Sequence, residues 1–270
     1  MFYKQIALSV PSTATEETYG WLGQFPKLEE WLGPRIIKNL VAHSYAIKNR
    51  TFATAISVPR VSIEDDQYGV FTPVLEEMGR SAAEQPDELV FTLLKNGFAT
   101  KGYDGEFFFD TDHPVTDDTN STTLVGNMQA GALAPWFLLD CSRPIKPIVY
   151  QERLPYELAA RDRKEDDNVF LNDEYQYGVR ARSNAGYGLW QMAFASKSDL
   201  TAANYEAART TMRNQRGAGR RPLNVMPDTL VVPPSLEGAA LRLLNSEYGT
   251  GGVTNEWKGA AKLIVTPWVA

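Results

Sequence analysis

The chain has 270 residues, of which 43% are hydrophobic and 22% charged, the balance of a globular protein able to bury a core. Its net charge of −6 argues against a dedicated DNA-binding domain, which needs a basic face to neutralise phosphates. Its one cysteine, Cys141, excludes an intrachain disulfide, and no apolar run approaches the roughly 20 residues of a membrane helix.

The length fits one large domain or two intimate subdomains. The opening, MFYKQIALSVPS, is too short in its apolar part for a signal peptide, so synthesis in the cytoplasm is expected. Residues 1–10 read as a short extended segment outside the core. Thr13–Tyr19, with early acids Glu16 and Glu17, reads as the start of a helix that Gly20 and Gly23 break. Leu28, Trp31 and Leu32 form an i, i+3, i+4 face between Pro26 and Gly33-Pro34, a short amphipathic helix. Lys38–Ile47 and Arg50–Pro59 read as two strands turning at Lys48-Asn49. Phe52, Thr54, Ile56 and Val58 share one face with period two, and together the strands predict a long, protruding β-hairpin. An acidic connector, Ser62–Asp66, follows.

Val70, Val74, Leu75, Met78 and Ala82 lie at helical spacing, as do Leu89, Val90, Leu93 and Leu94. Pro86 fits the first turn of a helix, so 68–96 predicts one kinked helix or two abutting ones, stopped at Gly97. From 98 to 190 strands and loops dominate. Pro135–Leu139 and Ile148–Tyr150 read as buried strands, and Arg161–Asn168 as a solvated charged loop. A helix through Asn204–Met212 has its start signal at Ser198-Asp199. Thr229–Pro233 is a short buried strand, Ser235–Asn245 a helix with Ser235 as N-cap, and Lys262–Pro267 a β-rich end.

Few groups offer chemistry. Asp104, Asp110, Asp112 and His113 offer oxygen and imidazole ligands for a divalent ion, and a metal-dependent hydrolase on Asp110, Asp112 and His113 is the enzymatic alternative. Asp-Thr-Asp-His-Pro is also an ordinary turn, in which Asp side chains bond neighbouring amides, and no metal or cofactor is expected. Arg209, Arg213, Arg216, Arg220 and Arg221 crowd around Gly217 and Gly219. They suit a solvated or subunit-facing loop, or a nucleic-acid-binding module as a second alternative. No GxxxxGK[ST] phosphate loop and no GxSxG elbow occurs. Glu64, Asp65 and Asp66 lack the apolar setting that would tune a catalytic pair.

Several long words carry a resemblance: Glu17-Thr18-Tyr19-Gly20-Trp21-Leu22-Gly23, Ile37-Lys38-Asn39-Leu40, Ile47-Lys48-Asn49-Arg50-Thr51-Phe52, Ile63-Glu64-Asp65-Asp66-Gln67-Tyr68-Gly69, Phe108-Phe109-Asp110-Thr111-Asp112-His113-Pro114 and the ending from Trp257-Lys258-Gly259 to Pro267-Trp268. In order and spacing, from about Gln5 to the end, the chain resembles the Mu-like prophage major head subunit family. The resemblance implies an α+β, Hong Kong-type tailed-phage capsid fold: an L-shaped subunit with a peripheral domain, an axial domain and an extended β-hairpin arm.

The division it implies is 1–35 for the N-terminal arm and short helices, 36–66 for the hairpin, 67–125 for the spine helix and peripheral domain, and 126–270 for the axial domain with returning peripheral strands. It further implies a non-enzymatic shell protein of the virion that packs against itself in hexamers and pentamers. Scaffold, portal and decoration proteins are its other partners, and DNA is enclosed without sequence-specific binding; no membrane is involved. Tyr45, Ile47, Lys48, Asn49, Arg50 and Phe52 on the hairpin are expected to contact neighbouring subunits, and Arg213, Arg216, Arg220 and Arg221 to face a neighbour or DNA. The family pattern has a longer N-terminal arm before the segment matching Gln5-Ile6-Ala7, so weaker association of this form is expected.

Overall fold

A computed structural model describes residues 1–20, 22, 45–65, 69, 71–116, 121–217, 221–249 and 252–270. The chain opens with a single helical turn, α1 (Tyr3–Ile6), and strand β1 (Ala7–Pro11). Two short strands, β2 (Glu16–Thr18) and β3 (Ala46–Lys48), pair with each other, and β4 (Arg50–Pro59) leads into the helical turn α2 (Arg60–Glu64). Helix α3 (Phe71–Lys95) follows, then β5 (His113–Thr116), β6 (Thr122–Val125), β7 (Met128–Gln129) and β8 (Trp136–Leu139). Two 14-residue strands, β9 (Ile148–Arg161) and β10 (Glu174–Tyr187), flank α4 (Asp167–Asn172). The remainder is β11 (Ala193–Ser196), α5 (Ala202–Arg213), β12 (Thr229–Val232), α6 (Glu237–Asn245) and β13 (Lys262–Val265).

These strands form two main sheets, ordered β1-β9-β10-β4 and β13-β12-β8-β11-β7. The second is buried on both faces, and its side chains sort by the strand period of two. Phe137 and Leu139 of β8 join Val231 of β12 in one core with the C-terminal turns of α3 and Phe108 and Phe109. Trp136 and Leu138 point the other way, with Leu230 and Val232, into a second core under α5 and α6, where Tyr205, Met212 and Leu244 are buried.

The four-stranded sheet is asymmetric along its length. Ile148–Gln151 of β9 and Ala185–Tyr187 of β10 are buried, whereas Ala159–Arg161 are exposed. β10 pairs with both β9 and β4 out to Gln176 and Glu174 respectively. A three-stranded ribbon thus grows from a buried root, with β9 and β10 about 45 Å long and β4 about 33 Å, at roughly 3.3 Å per residue. Helix α3 packs along it. Val90, Phe91 and Leu94 are buried near the root, while most of the N-terminal turns are exposed. The helix is continuous through Pro86, which lies buried within it and supplies no amide of its own to the helix ladder.

Several expectations need correction. Residues 1–10 are docked: β1 pairs parallel with β9, and Tyr3, Ile6 and Ala7 lie in the core. Asp87 of α3 accepts from the amides of Phe2 (3.1 Å) and Tyr3 (2.7 Å), satisfying free donors of α1 rather than starting a new helix. The segment before Tyr19 is a turn and strand, not a helix, because the Glu17 carboxylate reaches back to its own amides. The expected hairpin does not form in the expected register. β4 pairs with β10 and β3 with β2, since alternation marks a strand without choosing its partner. The chain instead leaves and returns at Tyr19 and Tyr45, whose N–H and C=O meet at 2.8 Å. The predicted helix at 28–32, the strand portion at 38–44 and Asp66 fall outside the described residues; Ser62–Glu64 of the connector belong to α2.

The charged segment from Arg161 is not one loop. It ends β9, turns, and enters α4. Helix α5 is capped by Thr201, whose hydroxyl accepts from Asn204 N at 3.2 Å, not at Ser198-Asp199. Residues Pro234–Leu236 form a 3-10 turn, so Ser235 is not the N-cap of α6.

A relay of polar groups holds the ribbon's root. The Tyr19 hydroxyl donates to Gln151 Oε1 (2.8 Å), and Gln151 Nε2 donates to Asn49 Oδ1 (2.8 Å) and Ile47 O (3.1 Å). Asn49 Nδ2 donates to Ser12 Oγ (2.8 Å), and Glu17 Oε1 accepts from Ser12 Oγ (3.0 Å), Thr13 N (2.7 Å) and Ala14 N (3.0 Å). Gln151 and Asn49 are buried, so each bond satisfies a group that would otherwise be costly. Burial pushes the Tyr19 phenol up to about 12, which keeps it a donor.

Two predictions follow from the root. A Cβ on Gly188 would come within 2.5 Å of Lys146 O and 3.0 Å of Pro147 O, backbone atoms that cannot swing aside. Gly188→Ala is expected to cost about 1–3 kcal/mol, as overpacking does, read from the urea midpoint at unchanged slope. The amides of Thr13 and Ala14, then the Ser12 hydroxyl, hold the Glu17 carboxyl below its ordinary value. A lowered folded-state pKa contributes stability above the unfolded value of about 4.3 and loses it as pH falls through the folded value. Wild type should therefore exceed Glu17→Gln in urea midpoint near neutral pH, with the gap closing in acid; a gap unchanged by pH would contradict the assignment.

Candidate subunit-contact surface

The six residues expected to reach a neighbour divide by strand alternation. Ile47 is 3% exposed and Asn49 7%, and half-buried Tyr45 accepts the Tyr187 amide at 2.8 Å through its hydroxyl. These three build the root of their own subunit, a correction to their expected exposure. Lys48 and Arg50 are exposed, and the Arg50 guanidinium lies 5.2 Å from the ring of half-buried Phe52.

The three ligands of the hydrolase alternative do not converge. His113 is fully buried and stacks on Trp190 with ring centroids 3.9 Å apart. Its Nδ1 lies 2.7 Å from Asp104 Oδ2 and its Nε2 3.2 Å from Asn127 Oδ1. The Asn127 amide is oriented by its own donation to Phe108 O (2.8 Å) and Trp190 O (3.3 Å), so both imidazole nitrogens face oxygen acceptors within the chain. Asp110 and Asp112 approach Glu106 instead, at the surface. Burial works to raise the Asp110 carboxyl, but the Thr111 amide and the hydrogen bond with Asp112 outweigh it and lower it; the Asp112 carboxyl, sharing that bond beside a like charge, is raised. Asp110 Oδ1 accepts Thr111 N at 2.7 Å, as an Asp-led turn requires.

Arg209 is a structural arginine. It donates to Tyr205 Oη (3.0 Å), Pro227 O (2.9 Å) and Ala260 O (3.3 Å), and its guanidinium sits 5.5 Å from the Tyr205 ring and 5.7 Å from that of Trp257. Arg213 is exposed in the last turn of α5, where a cation complements the helix dipole. Arg216 and Arg221 are exposed on a narrow turn closed by the Arg216–Pro222 bridge and by Gly217 N donating to Arg221 O at 2.9 Å. Arg220 lies outside the described residues. The arginines therefore split between the half-buried brace of Arg209 and the exposed side chains of Arg213, Arg216 and Arg221.

A prominent exposed apolar feature among the described residues directly follows the charge run Arg161–Asn168. At the ribbon's tip, Phe170 and Leu171 of α4 are 81% and 72% exposed, and Leu158 on β9 is 67% exposed. The tip is built rather than loose. Asn168 Nδ2 donates to Arg161 O (3.0 Å) and Glu174 O (2.6 Å), tying the two strand ends together. Asp173, in the left-handed region at φ 53°, donates its amide to Val169 O at 3.1 Å and closes the turn. Val169 faces inward at 4% exposure, which leaves the next two side chains outward. The signal in the sequence was the Val-Phe-Leu triplet, which a solvated loop does not need.

The chain matches known proteins over nearly its full length. A family profile described as Mu-like prophage major head subunit gpT matches residues 1–269. The major capsid protein of Escherichia phage Mu is 46% identical over 276 residues, which cover 99% of this chain and 90% of that protein. The Mu-like prophage FluMu major head subunit of Haemophilus influenzae is also 46% identical, over 97% of this chain and 89% of that one. Among solved structures, a chain from the procapsid of bacteriophage JBD30 superposes with a TM-score of 0.87 at 46% identity, covering 98% of this chain and 91% of that chain. The α+β arrangement of two sheets and a long helix is the tailed-phage capsid fold. The chain belongs to the Mu-like prophage major head subunit family.

Proposed function

We propose that this head subunit works by repeated association with copies of itself, as a structural protein of the capsid shell and not as an enzyme. The observation that carries this reading is the ribbon of β9, β10 and β4. It spends 14-residue strands on reaching out of the core and ends in Phe170 and Leu171, which find no cover among the described residues of their own subunit. Adjacent large apolar side chains at this exposure mark a contact surface.

In this reading the four-stranded sheet and α3 form the peripheral domain, and the five-stranded sheet with α5 and α6 the axial domain. Hexamers and pentamers close by rotational symmetry through a head-to-tail contact, so the same two complementary patches on each subunit serve around the whole ring. Each contact need only be modest, because a subunit held by several is retained by their sum. The net charge of −6 suits a shell that encloses DNA without neutralising its phosphates. The exposed Arg213, Arg216 and Arg221 turn faces a neighbour or that DNA. Scaffold, portal and decoration proteins are further partners of the assembled shell in the virion.

The test is a double variant, Phe170→Ser with Leu171→Ser. Since neither side chain is packed, the purified subunit should keep its circular dichroism and a stability within about 0.5 kcal/mol of wild type. Negative-stain imaging should show particles from wild type and none, or far fewer, from the variant. Equal particle yield from both would remove the tip from the contact surface.

A further inference from the structure

We propose that the outer edge of β4 pairs antiparallel with β4 of a second copy, across a local two-fold axis. The inference rests on the shell-building reading and adds a specific contact to it.

An edge strand presents every second N–H and C=O away from its sheet, ready to pair with another chain. β4 bonds to β10 along all ten of its residues, and among the described residues no strand lies on its other side. The strand β2 covers the same line as far as Lys48, and Thr15 O accepts from Asn49 N at 2.9 Å, so the open edge begins at Arg50.

The two outer edges of the ribbon are treated differently. Beyond Glu152, where β1 ends, the β9 edge carries Arg153, Pro155, Glu157 and Arg161, and its pairing with β10 is irregular between Arg180 and Ser183. Charges, proline and irregular register are the usual guards against edge-to-edge pairing. The β4 edge reads Thr51-Phe52-Ala53-Thr54-Ala55-Ile56-Ser57-Val58, with no charge and no proline. Thr51, Ala53, Thr54, Ala55 and Ser57 are exposed. One edge is defended and the other is left open.

Length and charge choose the occupant. The edge strands of the other main sheet, β13 and β7, have four and two residues, and β5 and β6 have four each. The bare edge in the described chain that matches ten residues is β4 itself. Opposite residues share a face, so a two-fold axis normal to the sheet must fall at a single residue position. With the axis at Thr54, Ala53 lies opposite the partner's Ala55 and Thr51 opposite the partner's Ser57, and the single charge of each strand, Arg50, stays at the far end from the other Arg50. The centre, at Thr54, is uncharged and exposed. Such a contact is isologous and closes on itself, as a two-fold contact must.

Single-cysteine variants Thr51→Cys, Thr54→Cys and Ser57→Cys, made in Cys141→Ser, test this in assembled wild-type-like particles by mild oxidation and non-reducing gels. Urea midpoints first establish that each variant is folded. Disulfide-linked dimers should be strongest for Thr54→Cys and several-fold weaker for Thr51→Cys and Ser57→Cys. Particles mixed from the Thr51→Cys and Ser57→Cys chains should regain strong cross-linking. Particles that form normally yet cross-link neither in Thr54→Cys nor in the mixture of Thr51→Cys and Ser57→Cys would overturn the β4 pairing while leaving the shell reading intact. Failure of the wild-type chain to form particles at all would overturn the shell reading and this contact with it.

Discussion

Strands β9 and β10 belong to two structures at once, and the rest of the subunit depends on that sharing. Their root segments are buried in the core with Tyr3, Val90, Phe91 and Phe108, while the far end of β9 is exposed and that of β10 half-buried. An isolated β-ribbon is marginal in water. Continuous pairing into a packed root lets the distal ribbon hold its shape without a core of its own. Burying a large apolar side chain contributes about 1.5–3 kcal/mol, and the root collects many of them. Helix α3 repeats the logic, packed at its C-terminal turns and open at the other end.

Packing alone does not fix where the neighbouring loops cross. The relay from Tyr19 through Gln151 and Asn49 to Ser12 and Glu17 does that by satisfaction, since buried amides are costly unless each donor and acceptor meets a partner. It joins β9, the start of β4 and the loop before β2, so it sets the point from which the ribbon leaves. His113 plays a comparable part beneath the Asp110 turn. Its contacts with Asp104 and Asn127, and its stacking on Trp190, convert residues that look like ligands into a buried strut.

What could be read from the sequence follows from range. Local periodicity located α3, α5, β8, β12 and β13, because a buried face leaves its mark within a few residues. Partner choice is a long-range property. Phe52, Thr54, Ile56 and Val58 announced a strand, but nothing near them pointed to Glu174–Ser183 as the partner. The docking of Tyr3 and Ile6 was invisible for the same reason, since their contacts lie on strand β9 and helix α3. The Phe170-Leu171 tip was masked by its flanking charges. Resemblance supplied the family and fold class, and chemistry kept the Asp and His cluster from being taken as a catalytic centre.

The central claim is that the ribbon is anchored at its root within one subunit and that its tip and outer β4 edge are covered by neighbours. Amide hydrogen exchange compared between unassembled subunits and assembled particles tests it directly. The account predicts slow exchange at Ile148–Gln151 and Ala185–Tyr187 in both forms. Across β4, α4 and the outer halves of β9 and β10, exchange should be fast in the subunit and strongly slowed in the particle. Equal protection of the distal ribbon in both forms would contradict it.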